Sequence, residues 1–174
     1  MKIRGELHLG GVSAKVILAA KPEERVDHLA MKLAAFAMFL PAGPVVEPST
    51  DHPGLAGLDI RPDVCAMNDA GEISIWIECG EVSINKLDKL ARRLPETRIV
   101  VIKADMRSAA QLRERLTDEV KQGARIEIWT WPQGTFQPWL NAMEDKTELF
   151  GDAHEKSFNL VINNVPYAVD LISV

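Results

Sequence analysis

The chain has 174 residues, of which 47% are hydrophobic and 26% charged, and its formal net charge is −5. This balance is typical of a soluble globular protein of one domain and excludes an intrinsically disordered chain. An acidic protein repels polyanions on average, which excludes a general coat for nucleic acid or for an anionic membrane. Two cysteines cannot form a disulfide framework, and the longest uncharged stretches, residues 33–46 and 128–143, are too short to span a bilayer. We therefore expect a cytoplasmic protein with reduced thiols and no membrane partner.

The first 57 residues predict a β-hairpin, a helix and a long loop. Residues 2–20 are expected to form two strands around Gly10-Gly11, because apolar residues alternate along the second of them. Apolar residues then recur at helical spacing over residues 22–40, and prolines follow directly. The loop over residues 43–57 is long for a connection, and such loops are often functional.

The centre of the chain predicts a hairpin and then alternating helices and strands. Strands are expected at residues 64–67 and 73–77, joined by the turn Asn68-Asp69-Ala70-Gly71. A helix capped by Ser83 runs to Leu94. The elements that follow are a strand at 98–103, a helix at 108–122, a strand at 126–131, a helix within 138–149 and a closing hairpin of 157–162 and 167–172. This order predicts an α/β fold with a mixed, partly parallel sheet, to which the N- and C-terminal hairpins are added.

The central hairpin places two acids opposite one another. With its turn centred between Ala70 and Gly71, Asp63 faces Glu78 across the strands. Opposed like charges are destabilising, and a Mg²⁺ or Mn²⁺ ion or a raised pKa on one acid would offset this. Both acids could instead be solvated strand ends. Five apolar residues would share the opposite, core-facing side of the hairpin: Val64, Ala66, Ile73, Ile75 and Ile77.

The charge of the chain is unevenly distributed. Residues 86–125 contain 11 Lys and Arg against 6 Asp and Glu, whereas the remainder is acidic. Lys86, Lys89 and Arg93 fall on one face of the predicted helix, and this face would suit the phosphates of a nucleic acid. The alternative is an ordinary charged helix surface.

Two resemblances follow from these motifs. Pro62-Asp63, fourteen intervening residues and Glu78 after an apolar strand resemble the PD-(D/E)XK nuclease superfamily, whose core would cover about residues 22–131. More closely, the chain is similar over about residues 12–172 to the YaeQ family of small bacterial proteins, and we expect residues 1–174 to form a single domain of this kind. The matching stretches are Lys21-Pro22-Glu23-Glu24 leading into MKLAAFAMF, Pro62-Asp63-Val64, Ile75-Trp76-Ile77-Glu78-Cys79-Gly80, Lys89, and the strand IEIWTW.

The resemblance implies a restriction-endonuclease-like core and a metal-dependent nuclease or phosphodiesterase. Asp63 and Glu78 match the acids that hold Mg²⁺ or Mn²⁺ in active members, and Glu24 on the first helix would add a further acid. Lys89 would bring an ammonium near the scissile phosphate, and Lys86 and Arg93 would bind substrate phosphates. Glu24 could equally be an acid favoured in a first helical turn, and Lys89 part of a solvated helix face.

The chain also departs from both patterns. Gly80 stands where the superfamily carries a lysine two positions past the glutamate, a feature that the YaeQ family shares. Residues 82–84 replace a proline and acids of that family. A catalytically inactive member that binds nucleic acid or protein is therefore the alternative, because function depends on the site rather than on the fold.

Overall fold

Two β-sheets enclose a central helix in the computed structural model, which describes residues 1–174. The strands are β1 (Lys2–Leu9), β2 (Val12–Ala19), β3 (Val45–Val46), β4 (Val64–Met67), β5 (Ile73–Cys79), β6 (Arg98–Lys103), β7 (Glu127–Thr130), β8 (Lys146–His154), β9 (Ser157–Ile162), β10 (Val165–Asp170) and β11 (Ile172–Ser173). The helices are α1 (Val26–Met38), α2 (Ile84–Arg93), α3 (Met106–Glu119) and α4 (Phe136–Asn141), with short 3₁₀ helices at Leu40–Ala42, Pro53–Leu55 and Gly123–Arg125. None of the helices has the length and apolar composition needed to cross a membrane.

The terminal hairpins lie together in a five-stranded sheet of order β10-β9-β8-β1-β2. Both hairpins were predicted, although the last strand begins at Val165 rather than at Tyr167, because Asn163 and Asn164 turn the chain with positive φ values of 47° and 69° and Val165 already pairs with Ile162. The expectation of one mixed sheet was wrong, because β1 and β8 pair in parallel and join the hairpins into a sheet of their own. The expected helix within 138–149 ends at Asn141, and residues 146–149 are strand, with Thr147 and Leu149 buried on one face.

The second sheet has six strands in the order β11-β7-β6-β5-β4-β3. Strands β5, β6 and β7 are parallel and are connected through α2 and α3, as the alternating order predicted. Strands β3, β4 and β5 form an antiparallel meander. Both faces of this sheet are covered, so the run Ile99-Val100-Val101-Ile102 is fully buried.

Helix α1 lies between the two sheets, and residues 29–38 of it are all buried. It begins at Val26 rather than at Pro22, since a turn closed by the Glu24 N–H donating to the Lys21 carbonyl precedes it. Glu24 therefore lies in this turn and not on the helix, which corrects the sequence expectation. Helix α3 likewise covers Met106–Glu119 instead of 108–122, because Asp105 caps it.

The register of the central hairpin is the predicted one over most of its length. Val64 pairs with Ile77 and Cys65 with Trp76, and the strands slip by one residue only at a bulge after Ala66. The bulge moves Ile73 to the face of Trp76, so its expected place with Ile75 was wrong. Cys65 and Cys79 are free thiols buried in different cores, one on each side of the sheet.

Candidate functional site

A buried lysine lies where the metal ligands were expected. Lys32 is on α1, its side chain is 3% exposed, and its ammonium contacts the carboxylates of Glu24 and Glu47. A third carboxylate oxygen, Asp63 Oδ1, lies 3.7 Å from Lys32 Nζ. Burial alone would lower the pKa of Lys32, but the hydrogen bonds to Glu24 and Glu47 raise it above its ordinary value. The lysine is therefore a charged ammonium held by three acids, and we call these residues with His28 the Lys32 cluster.

Three separate segments bring the acids to Lys32. Glu24 comes from the turn before α1, and Asp63 directly precedes β4. Glu47 follows β3 with a φ of 42°, and its N–H donates to the Asp63 carbonyl at 2.8 Å. The Lys21 ammonium lies 3.0 Å from Glu47, so a second cation partly neutralises the exposed side of the cluster.

His28 links two acids of the Lys32 cluster, one helical turn before the lysine. Its Nδ1 lies 2.8 Å from Glu24 and its Nε2 lies 3.1 Å from Asp63. Burial would raise the pKa of Asp63, but His28, the Cys79 N–H at 2.8 Å and Lys32 together hold it below its usual range. Asp63 is therefore an ionised acid with several donors.

Glu78 has a different set of partners on the other side of the sheet. Its Oε1 accepts from Trp76 Nε1 at 2.7 Å and lies 2.6 Å from Lys86 Nζ. Lys86 also donates to the Arg61 carbonyl at 2.7 Å, so its ammonium is engaged inside the protein rather than offered to a substrate phosphate. Burial raises the pKa of Glu78, and Lys86 only partly offsets this rise.

The hairpin brings the backbones of Asp63 and Glu78 close together, but their side chains have different partners. Asp63 is bonded to groups on α1, and Glu78 is bonded to Trp76 and to Lys86 on α2. The protein contains no group of three or more His, Cys, Asp or Glu side chains arranged to hold a metal ion. Each acid already has an ammonium partner, so these residues as arranged do not fit Mg²⁺ or Mn²⁺.

Lys89 and Arg93, which were predicted to serve catalysis and phosphate binding, contact neither Asp63 nor Glu78. Lys89 contacts the Asp59 carboxylate, and Arg93 lies 3.6 Å from the same group. Asp59 is 67% exposed, so two cations share one solvated acid at the surface. The basic residues of α2 therefore have two different partners: Lys86 pairs with the buried Glu78, and Lys89 and Arg93 pair with Asp59 at the surface.

Sequence reasoning missed Lys32, His28 and Glu47. One signal for Lys32 was present, because it is the only charged residue in the otherwise apolar run from Leu29 to Leu40. A charge in such a run is buried with the helix and needs partners. No comparable signal marked Glu47 in its loop.

Comparisons with known proteins agree with this architecture. The family model described as YaeQ protein matches residues 12–165. The chain belongs to the YaeQ family. The YaeQ protein structure from Xanthomonas axonopodis pv. citri is similar with a TM-score of 0.74 and 16% identity, covering 99% of this chain and 96% of that one. The YaeQ protein from Pseudomonas syringae gives 0.71 and 18%, covering 99% and 94%. No curated protein matches the chain.

Proposed function

We propose that this YaeQ protein has a PD-(D/E)XK-type core that binds nucleic acid without hydrolysing it. Support for the core comes from the order of elements in the second sheet. Helix α1 is followed by the antiparallel meander β3-β4-β5, then by α2 and by β6 parallel to β5. The PD-(D/E)XK superfamily, which the Pro62-Asp63 and Glu78 motif resembles, has the same order of a helix, a three-strand meander, a helix and a further strand.

The observation that carries the proposed absence of hydrolysis is the pairing of each acid with a lysine ammonium. Metal-assisted hydrolysis needs carboxylate oxygens free to hold the ion. Here the Lys32 ammonium lies between Glu24, Glu47 and Asp63, and the Lys86 ammonium is paired with Glu78. Position 80 is a glycine, so no lysine stands two residues past the strand glutamate. The acids then act as structural partners of the lysines.

The surface that supports nucleic-acid binding is the exposed part of α2. Lys89 and Arg93 share the single carboxylate of Asp59, which leaves one positive charge in excess. Ion pairs at exposed sites contribute about 0–1 kcal/mol, so a phosphate can replace Asp59 at little cost. Phosphate contacts of this kind give affinity without sequence preference and depend on salt.

Fluorescence anisotropy on labelled single- and double-stranded DNA and RNA tests the binding. The double reversal Lys89→Glu/Arg93→Glu should weaken binding by about tenfold or more at low salt and flatten its salt dependence. Arg115→Glu, an exposed residue of α3 paired with Glu119, is the matched control and should bind like the wild type. Equal binding by all three proteins, or none by the wild type, would contradict the proposal.

Calorimetric titration of Mg²⁺ and Mn²⁺, together with a cleavage assay, tests the absence of hydrolysis. The wild type should bind neither ion at the acids and should leave every nucleic acid intact. Metal binding that Asp63→Ala/Glu78→Ala abolishes, combined with cleavage, would favour a metal-dependent nuclease instead. One observation favours that second candidate: the pKa of Asp63 is lowered and that of Glu78 raised at the same end of one hairpin. Both lysines would then have to leave the acids.

A further inference from the structure

A cavity of about 350 Å³ opens at the carboxyl ends of the parallel strands β5 and β6. Gly80 and Glu81 follow β5, Lys103 ends β6, and His28 and Ser108 line the cavity from α1 and α3. In open α/β sheets, ligands bind in crevices at this end of the strands. The cavity therefore lies where the fold itself favours a ligand.

Lys103 is a buried cation of this cavity, and only one carboxylate contacts its ammonium. Its side chain is 5% exposed, it donates no hydrogen bond, and its nearest carboxylate oxygen is Glu81 Oε1 at 3.5 Å. Glu81 is itself 94% exposed. The two other lysines discussed above differ, since Lys32 and Lys86 each hydrogen-bond to buried or partly buried partners. The Lys103 ammonium is thus held by one exposed carboxylate at 3.5 Å, and an anionic ligand in the cavity can replace that partner at little cost.

The backbone around Lys103 adds space and positive potential. In the β5–β6 ladder Cys79 pairs with Ile102, so Gly80 lies beside Lys103 at the cavity. A Cβ at Gly80 would lie 3.1 Å from Met31 and 3.9 Å from His28, so the glycine leaves space on the α1 side of the cavity. Helix α3 spans 14 residues and its first turn borders the same space, where the amino end of a helix favours negative charge.

Four carboxylates also line the cavity, and of these only Glu81 contacts the Lys103 ammonium. Asp27 is paired with Arg25 at 3.1 Å, and Asp105 accepts from the Ser108 N–H as the cap of α3. Glu23 and Glu81 are exposed, so they can turn into solvent when a ligand enters.

We propose that this cavity binds a phosphate group, with the Lys103 ammonium as its anchor. The proposal rests on the proposed function only for the source of the phosphate, a nucleic-acid chain or its phosphorylated end. Inorganic phosphate carries the same recognised chemistry and serves as the minimal probe. Glu81 competes with the anion for Lys103, so its neutralisation should strengthen binding.

Titration of inorganic phosphate into ¹⁵N-labelled protein tests the site directly. Phosphate should shift the backbone amide signals of Gly80 and Ser108 in the wild type. Lys103→Met should weaken phosphate affinity by tenfold or more, Lys103→Arg should retain most of it, and Glu81→Gln should increase it. Lys121→Met, an exposed lysine beyond α3, is the control and should match the wild type. No shift at these amides in the wild type, or unchanged affinity in Lys103→Met, would overturn the site.

Oligonucleotides with and without a 5′-phosphate separate this proposal from the proposed function. Tighter binding of the phosphorylated form that disappears in Lys103→Met identifies a terminal phosphate, and a loss for both forms identifies an internal one. If phosphate binds through Lys103 but no oligonucleotide binds, the site stands and the proposed function fails. If oligonucleotides bind the wild type and Lys103→Met equally, the proposed function stands and the site fails. If Lys103→Met does not fold, the phosphate-induced amide shifts of the wild type and of Lys103→Arg still test the site.

Discussion

Replacing Lys32 by methionine tests the role of the buried ammonium most directly. Methionine keeps the length of the side chain and removes its charge, so Glu24, Glu47 and Asp63 lose their shared cation. Removing one partner of a buried ion pair costs about 3–5 kcal/mol, because the remaining charge is left without compensation.

Two features of the structure reduce the expected loss towards the lower end of that range. Glu47 is 31% exposed and keeps Lys21 as a partner at 3.0 Å. His28 continues to bridge Glu24 and Asp63. We therefore expect Lys32→Met to lower the free energy of unfolding by about 3 kcal/mol at pH 7.

The loss should depend on pH in a defined direction. The folded-state pKa of Lys32 is raised, so its contribution is fully present below about 10.4, its unfolded pKa, and does not change between pH 4 and 7. The folded-state pKa values of Glu47 and Asp63 are lowered, so their contribution exists above about 4 and is lost as the pH falls through their folded values. Without Lys32 this lowering diminishes, and the difference between variant and wild type should therefore shrink as the pH falls from 7 to 4.

Urea unfolding followed by the fluorescence of the buried tryptophans measures both quantities. Lys15→Met is the control, because Lys15 is 81% exposed and its ion pair with Glu6 lies at the surface, so its urea midpoint should match the wild type. Addition of Mn²⁺ should restore part of the stability of Lys32→Met and add none to the wild type, since Glu24, Glu47 and Asp63 then lack their shared ammonium and can accept a hard cation. A loss below about 1 kcal/mol, or an equal loss at both pH values, would refute the buried ion-pair reasoning.

Three further predictions concern the thiols, one glycine and one helix cap. Burial raises the pKa of Cys65 to about 11 and that of Cys79 well above its ordinary value, so both thiols should react with a disulfide reagent at pH 8 only after urea unfolding; reaction of the native protein would contradict this. Gly151 has a φ of 126°, and an added Cβ would lie 2.3 Å from a carbonyl oxygen of β9, so Gly151→Ala should destabilise by more than about 2 kcal/mol in the same urea assay. Asp105 accepts from the Ser108 N–H at 2.9 Å, so Asp105→Ala should cost about 1 kcal/mol, and an unchanged midpoint would show that the cap is dispensable.

Local patterns predicted the elements that depend on neighbours in the chain. The spacing of apolar residues located α2 and the buried strands β6 and β7, and the turn residues located both terminal hairpins. The register of the central hairpin followed from its turn, apart from the bulge after Ala66. Such features are predictable because turn geometry and periodic burial act over a few residues.

The five-stranded sheet formed by the terminal hairpins was not predictable in the same way. Strand β1 pairs in parallel with β8, from Arg4 with Lys146 to Leu9 with Gly151, so the partners are far apart in the chain. Nothing local in residues 146–149 distinguishes a strand from the end of a helix, and only the pairing with β1 decides between them. Tertiary context overrides weak local preference at such positions.

The sequence by itself determined the register of the hairpin next to the two acids, because the pairing of Val64 with Ile77 depends only on one turn and an alternating strand pattern. The tertiary structure alone decided what those acids contact. Lys32 reaches Asp63 only because α1 packs against one face of the six-stranded sheet. Lys86 reaches Glu78 only because α2 packs against the opposite face. Charge balance in a buried site is set by side chains from separate segments, so lysines took the position that the sequence pattern had suggested for a metal.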